Sequence, residues 1–115
     1  MSVEIWHNPR CTKSRETLAL LRQKGVEPEI REYLNETPSV DELKTVLGKL
    51  GFDTVRAWMR TKEADYKALD LKNEADEDRL LAAMAAHPKL IERPVVINGA
   101  RAALGRPPET VLGIL

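Results

Sequence analysis

Val3-Glu4-Ile5-Trp6-His7-Asn8-Pro9-Arg10-Cys11-Thr12-Lys13-Ser14-Arg15 is the stretch that decides how this chain folds. Val3 and Ile5 alternate with Glu4, the period of a half-buried strand over residues 2–6, and Asn8-Pro9 then breaks the pattern. From Thr12 the composition turns helical, with Leu18 and Leu21 flanked by Ala19 and Leu20, and Gly25 is placed to stop the helix. The only cysteine falls on the junction, after the strand and its loop and at the start of the helix.

Working outward, residues 26–33 predict a second strand, with Val26, Pro28 and Ile30 on one face and Pro28 favouring an edge or a strand start. The middle of the chain reads as helical throughout. Ser39 and Glu42 make a capping box, and Leu43, Val46, Leu47 and Leu50 follow at helical spacing until Gly48 to Gly51. Val55, Trp58 and Met59 keep helical spacing, as do Tyr66 and Leu69. Leu80, Leu81, Met84 and His87 mark a further helix that opens on Asp76, Glu77 and Asp78, as the dipole prefers, and stops at Pro88.

The last quarter returns to strand. Val95, Val96 and Ile97 are β-branched, Asn98-Gly99 is a hairpin signal, and residues 100–104 supply the returning strand. Gly105-Arg106-Pro107-Pro108 then leads into a short helix carrying Val111, Leu112 and Leu115. The expectation is a single α/β domain over residues 1–115, with a mixed sheet of about four strands and a helical insertion over residues 39–87.

Composition narrows the function. The 115 residues carry 18 basic and 18 acidic side chains, so the formal net charge is zero and no basic footprint marks a nucleic-acid partner. One cysteine cannot form an internal disulfide, which points to a reducing, cytoplasmic setting. No apolar run approaches the roughly 20 residues that span a bilayer, and residues 1–9 do not resemble a signal peptide, so no membrane partner is expected. One Cys and two distant His make no metal-ligand cluster, and no bound cofactor is implied. The run from Glu63 to Asp78 holds seven acids against Lys67 and Lys72, which fits a solvated helical face or a docking face for a basic redox partner.

The chemistry gathers at Cys11. At a helix N-terminus, unpaired backbone N–H groups and the positive end of the dipole favour an anion, and Arg10, Lys13 and Arg15 add charge beside it. Both effects favour the thiolate, the nucleophilic form. The polar, proline-containing loop and its three cations argue for an open thiol rather than a buried one. Thr12, Lys13, Ser14 and Arg15, the first turn, are the candidate oxyanion cradle. Ser14 stands where a dithiol motif carries its second Cys, so an oxidised or adducted Cys11 must be rescued by an external thiol. Its hydroxyl either donates to the thiolate or satisfies backbone groups. His7 positions the loop or contributes electrostatically to the thiolate.

The segment from His7 to Arg15 resembles the His-Asn-Pro-x-Cys-x-x-Ser-Arg loop of the glutaredoxin-dependent arsenate reductase family, which also includes Spx-type regulators. Three further segments match in order: Trp58-Met59-Arg60-Thr61-Lys62-Glu63, Leu90-Ile91-Glu92-Arg93-Pro94-Val95-Val96 and Leu104-Gly105-Arg106-Pro107-Pro108-Glu109. The resemblance implies a thioredoxin-like fold and Cys11 as nucleophile, with Arg60, Arg93 and Arg106 on arsenate or a related oxyanion. It also implies a cis Pro94 facing the cysteine, glutathione as co-substrate and glutaredoxin as reductant. Thr12-Lys13 stands where the best-known of these enzymes carry Gly-Thr, so Lys13 adds a cation, and the chain is shorter than theirs. Two other outcomes stay open: a glutathione-dependent thiol-disulfide oxidoreductase without arsenate activity, and a non-enzymatic Spx-like redox regulator, against which Ser14 counts because no dithiol switch can form.

Overall fold

The computed structural model describes residues 2–115. The chain divides into two compact units, one of residues 1–36 with 93–115, the other of residues 37–92.

The first unit is built on a four-stranded mixed sheet in the order β2-β1-β3-β4. β1 (Val3–Trp6) pairs in parallel with β2 (Glu29–Arg31) and antiparallel with β3 (Val95–Asn98), which pairs antiparallel with β4 (Arg101–Leu104). The crossover between β1 and β2 is the helix α1 (Thr12–Gln23), and Gly25 takes the left-handed conformation just past its end, φ 80°. Ile5, Leu18, Leu21, Val96, Ala103 and Val111 form the core, so the apolar stripe of α1 closes on the sheet. This β-α-β, β-β-helix arrangement is thioredoxin-like.

Two sequence expectations are corrected in this unit. β2 is three residues long rather than the span 26–33, and Ile30 is 43% exposed. Pro28 cannot donate to a ladder, and the strand lies at the sheet edge, so little pairing is available to extend it. The hairpin turn is Gly99-Ala100, since Asn98 is already paired with Arg101; Gly99 alone takes positive φ, 61°, as the first central residue of a II′-type turn does. The expected short C-terminal helix forms over Pro108–Ile114 as a 3-10 helix.

In the second unit, α2 (Val40–Leu50) starts on the expected capping box. Ser39 Oγ accepts from Glu42 N–H, Glu42 Oε1 accepts from Ser39 N–H, and Gly51 closes the helix in the left-handed region. α4 (Glu77–Ala86) is capped by Asp76 and buries Leu80, Leu81 and Met84, with His87 at its end. Between them the continuous helix gives way to a 3-10 turn at Val55–Trp58, a short α3 (Ala64–Ala68) and a second 3-10 turn at Leu71–Asn73. Met59 leaves the helical path to bridge Ile91, with Arg60 N–H donating to Leu90 O and Glu92 N–H to Trp58 O. Asp70, at φ 52°, ends α3 so early that Leu69 stays 45% exposed. Arg56 knits this stretch together, donating to Tyr66 Oη, Leu71 O and Glu74 O. Among the described residues, no helix is long and apolar enough to cross a membrane.

Candidate active site

The loop after β1 is a tight turn, residues 8–11, closed by the Cys11 N–H donating to Asn8 O at 3.0 Å. Asn8 Oδ1 also accepts from Arg10 N–H, the local bond that makes Asn a turn former. The turn delivers Cys11 to the N-cap of α1 in extended conformation, φ −95° and ψ 124°. The thiol makes no capping hydrogen bond of ordinary geometry. The expectation of an open thiol is corrected: Cys11 is 8% exposed.

Burial pushes the Cys11 thiol up, and four other influences together outweigh it. In order of size they are the Ser14 backbone N–H, the Arg93 charge, the Lys13 backbone N–H and the Arg106 charge. The net result is a thiol held below its ordinary range. Arg106 also makes direct contact, its Nη2 donating to Cys11 Sγ at 3.7 Å. Its Nε donates to Arg93 O at 2.7 Å, so the backbone of one arginine aims the guanidinium of the other.

The three cations next to Cys11 in sequence do other work. Lys13 pairs with Glu16 at 3.7 Å, both about half exposed. Arg15 donates to Pro9 O and to Thr12 Oγ1, which ties the first turn back to the loop. Arg10 is exposed. Among Thr12, Lys13, Ser14 and Arg15 it is therefore the backbone N–H groups of Lys13 and Ser14 that act on the sulfur. The Ser14 hydroxyl is engaged elsewhere: it is fully buried, 2.6 Å from His7 Nδ1, and accepts from the Asn8 N–H.

His7 is likewise buried and meets Ser14 rather than Cys11. Burial holds its pKa down, with Glu32 opposing and Arg22 reinforcing, so the imidazole is uncharged at neutral pH. Arg60 belongs to the second unit, where Nη1 pairs with Glu63 at 3.2 Å and reaches Lys89 O at 3.4 Å.

The Arg93–Pro94 bond is cis, as the resemblance implies, and so is Arg106–Pro107. The sequence reading missed the packing behind them. Gly105 lies between Pro94 and Thr17 of α1 so tightly that a Cβ would come within 2.7 Å of Pro94 Cγ and closer still to Thr17 Oγ1. Gly105 N–H donates to Pro94 O at 3.0 Å, and Thr17 Oγ1 donates back to Lys13 O at 2.8 Å. The signal for this packing in the sequence was the Leu104-Gly105-Arg106-Pro107-Pro108-Glu109 segment that carries the resemblance. No group of three or more His, Cys, Asp or Glu able to hold a metal ion occurs among the described residues.

The resulting site is a low-pKa thiol with a guanidinium at its sulfur and amide N–H groups behind it, an arrangement suited to nucleophilic attack on an oxyanion or a disulfide. The chain is 56% identical to an arsenate reductase of Haemophilus influenzae over the full length of both, and 46% identical to one of Neisseria meningitidis, covering 98% of this chain and 97% of that protein. The solved structure of an arsenate reductase from Vibrio cholerae superposes with a TM-score of 0.97 at 56% identity, covering 100% of this chain and 98% of that one. The ArsC family matches residues 6–114, and with these relatives beside it the chain belongs to that family.

Proposed function

We propose that this protein is an arsenate reductase that works through Cys11 and borrows its second thiol from glutathione. The observation that carries the reading is the Arg106 guanidinium 3.7 Å from Cys11 Sγ at the start of α1. A thiolate and an oxyanion repel, so a nucleophilic sulfur reaches arsenate only where fixed positive charge and N–H dipoles neutralise both.

Arsenate is held by Arg93 and Arg106, whose forked donors match a tetrahedral oxyanion. The Cys11 thiolate attacks arsenic; a sulfur–arsenic bond forms and one arsenate oxygen, protonated, leaves as water. Glutathione thiolate then attacks the Cys11 sulfur. The electron pair of the sulfur–arsenic bond passes to arsenic, which departs as arsenite, As(III), and leaves a Cys11–glutathione mixed disulfide. Glutaredoxin returns Cys11 to the thiol. Because the chain has one cysteine, both electrons cannot come from it, and the cytoplasm is the compartment that supplies the missing thiol.

Steady-state arsenate reduction with glutathione and glutaredoxin tests this. Cys11→Ser is expected to abolish turnover, and Arg93→Ala to raise the arsenate KM about 10- to 100-fold, as for loss of a charged hydrogen-bonding partner. Turnover surviving Cys11→Ser removes the nucleophile assignment, and an unchanged KM in Arg93→Ala removes the clamp.

A further inference from the structure

A cleft of about 320 Å3 opens beside the Cys11 loop, lined by His7, Asn8, Pro9 and Arg10 of the loop and by Glu32, Leu34 and Asn35 of the segment after β2. That volume is at the lower end of small-molecule sites. The two lining segments are joined by His7 N–H donating to Arg31 O at 2.8 Å, and the second is held in shape by Asn35 N–H and Glu36 N–H donating to Glu32 O. Its lining carries one cationic residue, Arg10, and one anionic residue, Glu32. Leu34, 37% exposed, adds an apolar contact.

We propose that this cleft seats the α-amino-acid head of the small thiol that completes the Cys11 cycle, Arg10 taking its carboxylate and Glu32 its ammonium. The proposal rests on the reading of Cys11 as a nucleophile that exchanges with an external thiol. A head bearing both charges matches a cleft bearing both, whereas a simple carboxylate would leave Glu32 opposed to it. Glutathione has such a head on its γ-glutamyl arm. Reach is also satisfied. Residues 8–11 form a hydrogen-bonded turn, which keeps the Cα atoms of Asn8 and Cys11 within about 7 Å of each other. An extended peptide covers about 3.5 Å per residue, so a tripeptide can lie in the cleft with its own sulfur at Cys11.

The test uses disulfide exchange and needs no arsenate. Cys11 thiolate attacks one sulfur of a symmetrical disulfide; that bond breaks, the mixed disulfide forms on Cys11, and the other half leaves as a thiolate that takes a proton from water. Rates are followed by intact-protein mass spectrometry with oxidised glutathione and with the disulfide of cysteinylglycine, which lacks the γ-glutamyl head. Glu32→Gln is expected to slow the reaction with oxidised glutathione about three- to tenfold, the scale of one exposed ionic contact, and to leave the cysteinylglycine reaction unchanged. The sign is diagnostic, because removing an acid from the surface would by long-range attraction speed the approach of anionic glutathione. Arg10→Gln is expected to lower the same ratio of rates. A Glu32→Gln protein that keeps the wild-type ratio overturns the proposal, as does a Cys11 inert to both disulfides. A wild type that exchanges with glutathione in this way but does not reduce arsenate leaves the cleft standing and removes the arsenate assignment alone.

Discussion

Gly105→Ala is the substitution whose effect the packing specifies most closely. The new methyl would overlap Pro94 Cγ at 2.7 Å and Thr17 Oγ1 more severely. Ordinary carbon contacts begin near 3.5 Å, so about 1 Å of relief is required. Neither neighbour gives way cheaply. Thr17 is fully buried, β-branched, and held by its bond to Lys13 O, while Pro94 is buried with a rigid ring. Relief must come from backbone movement between α1 and the segment after β4.

Overpacking of this kind costs about 1–3 kcal/mol, and with two unyielding partners the upper end applies. At about 2.1 cal/mol/K of unfolding entropy per residue, 115 residues give about 0.24 kcal/mol/K, so about 3 kcal/mol lowers Tm by roughly 12 °C. Urea denaturation followed by far-UV circular dichroism measures the loss, with Gly113→Ala as control because nothing lies within 4 Å of its added methyl. The displacement also moves Arg106, so the thiolate absorbance of Cys11 near neutral pH is expected to fall. A Gly105→Ala protein within about 0.5 kcal/mol of wild type, with its thiolate unchanged, would refute the close approach as the reason for glycine here.

Arg106→Ala removes both a direct donor to Cys11 Sγ and a charge that lowers its pKa, so ultraviolet titration of the thiolate should move upward in pH, with Arg106→Lys intermediate. Ser14→Ala leaves His7 Nδ1 and the Asn8 N–H without their shared partner and should cost about 1–3 kcal/mol in urea, yet scarcely move the Cys11 titration, because the contribution from Ser14 is its backbone N–H. His7 has a lowered pKa in the fold, so the unfolded chain takes up the proton first, near pH 6.5. Its contribution is present above that value and lost as pH falls through it, so the urea midpoint should decline more steeply below pH 6.5 in wild type than in His7→Gln. Gly48→Ala, in the interior of α2 with open space around the new methyl, should stabilise by about 0.5–1 kcal/mol in the same assay.

Where a local signal and the tertiary environment agreed, the elements were legible. The apolar stripe of α1 and Gly25 past its end, the Ser39–Glu42 capping box with Gly51, and the β-branched run of β3 all lie where periodicity and capping put them. What failed were spans in which the pattern was right but the length was set elsewhere. Val55, Trp58 and Met59 have helical spacing, yet the pairing of Met59 with Ile91, more than thirty residues away, takes the third of them into an extended path. Val26, Pro28 and Ile30 alternate onto one face, yet Ile30 is 43% exposed, because an edge strand of three residues does not enforce burial of that face.

The candidate site shows the same division in its electrostatics. Reading the loop along the chain gave the sign of the Cys11 shift, a favoured thiolate, but attributed part of it to Arg10, Lys13 and Arg15. In space those side chains point to other partners or to solvent, because successive positions around a helix N-terminus fan outward while their N–H groups converge inward. The cations that count are Arg93 and Arg106, more than eighty residues away in sequence, brought in where β3 begins and just after β4 ends. The thiol is also buried, and the side chain in contact with its sulfur is Arg106, from the far end of the chain, which a flanking composition cannot reveal. Burial opposes the thiolate, and the two helix-terminal N–H groups with the two distant guanidinium groups overcome it. A sulfur held in that balance depends on each of the four, which is why loss of one arginine, rather than of any cation side chain in the loop, is expected to raise its pKa.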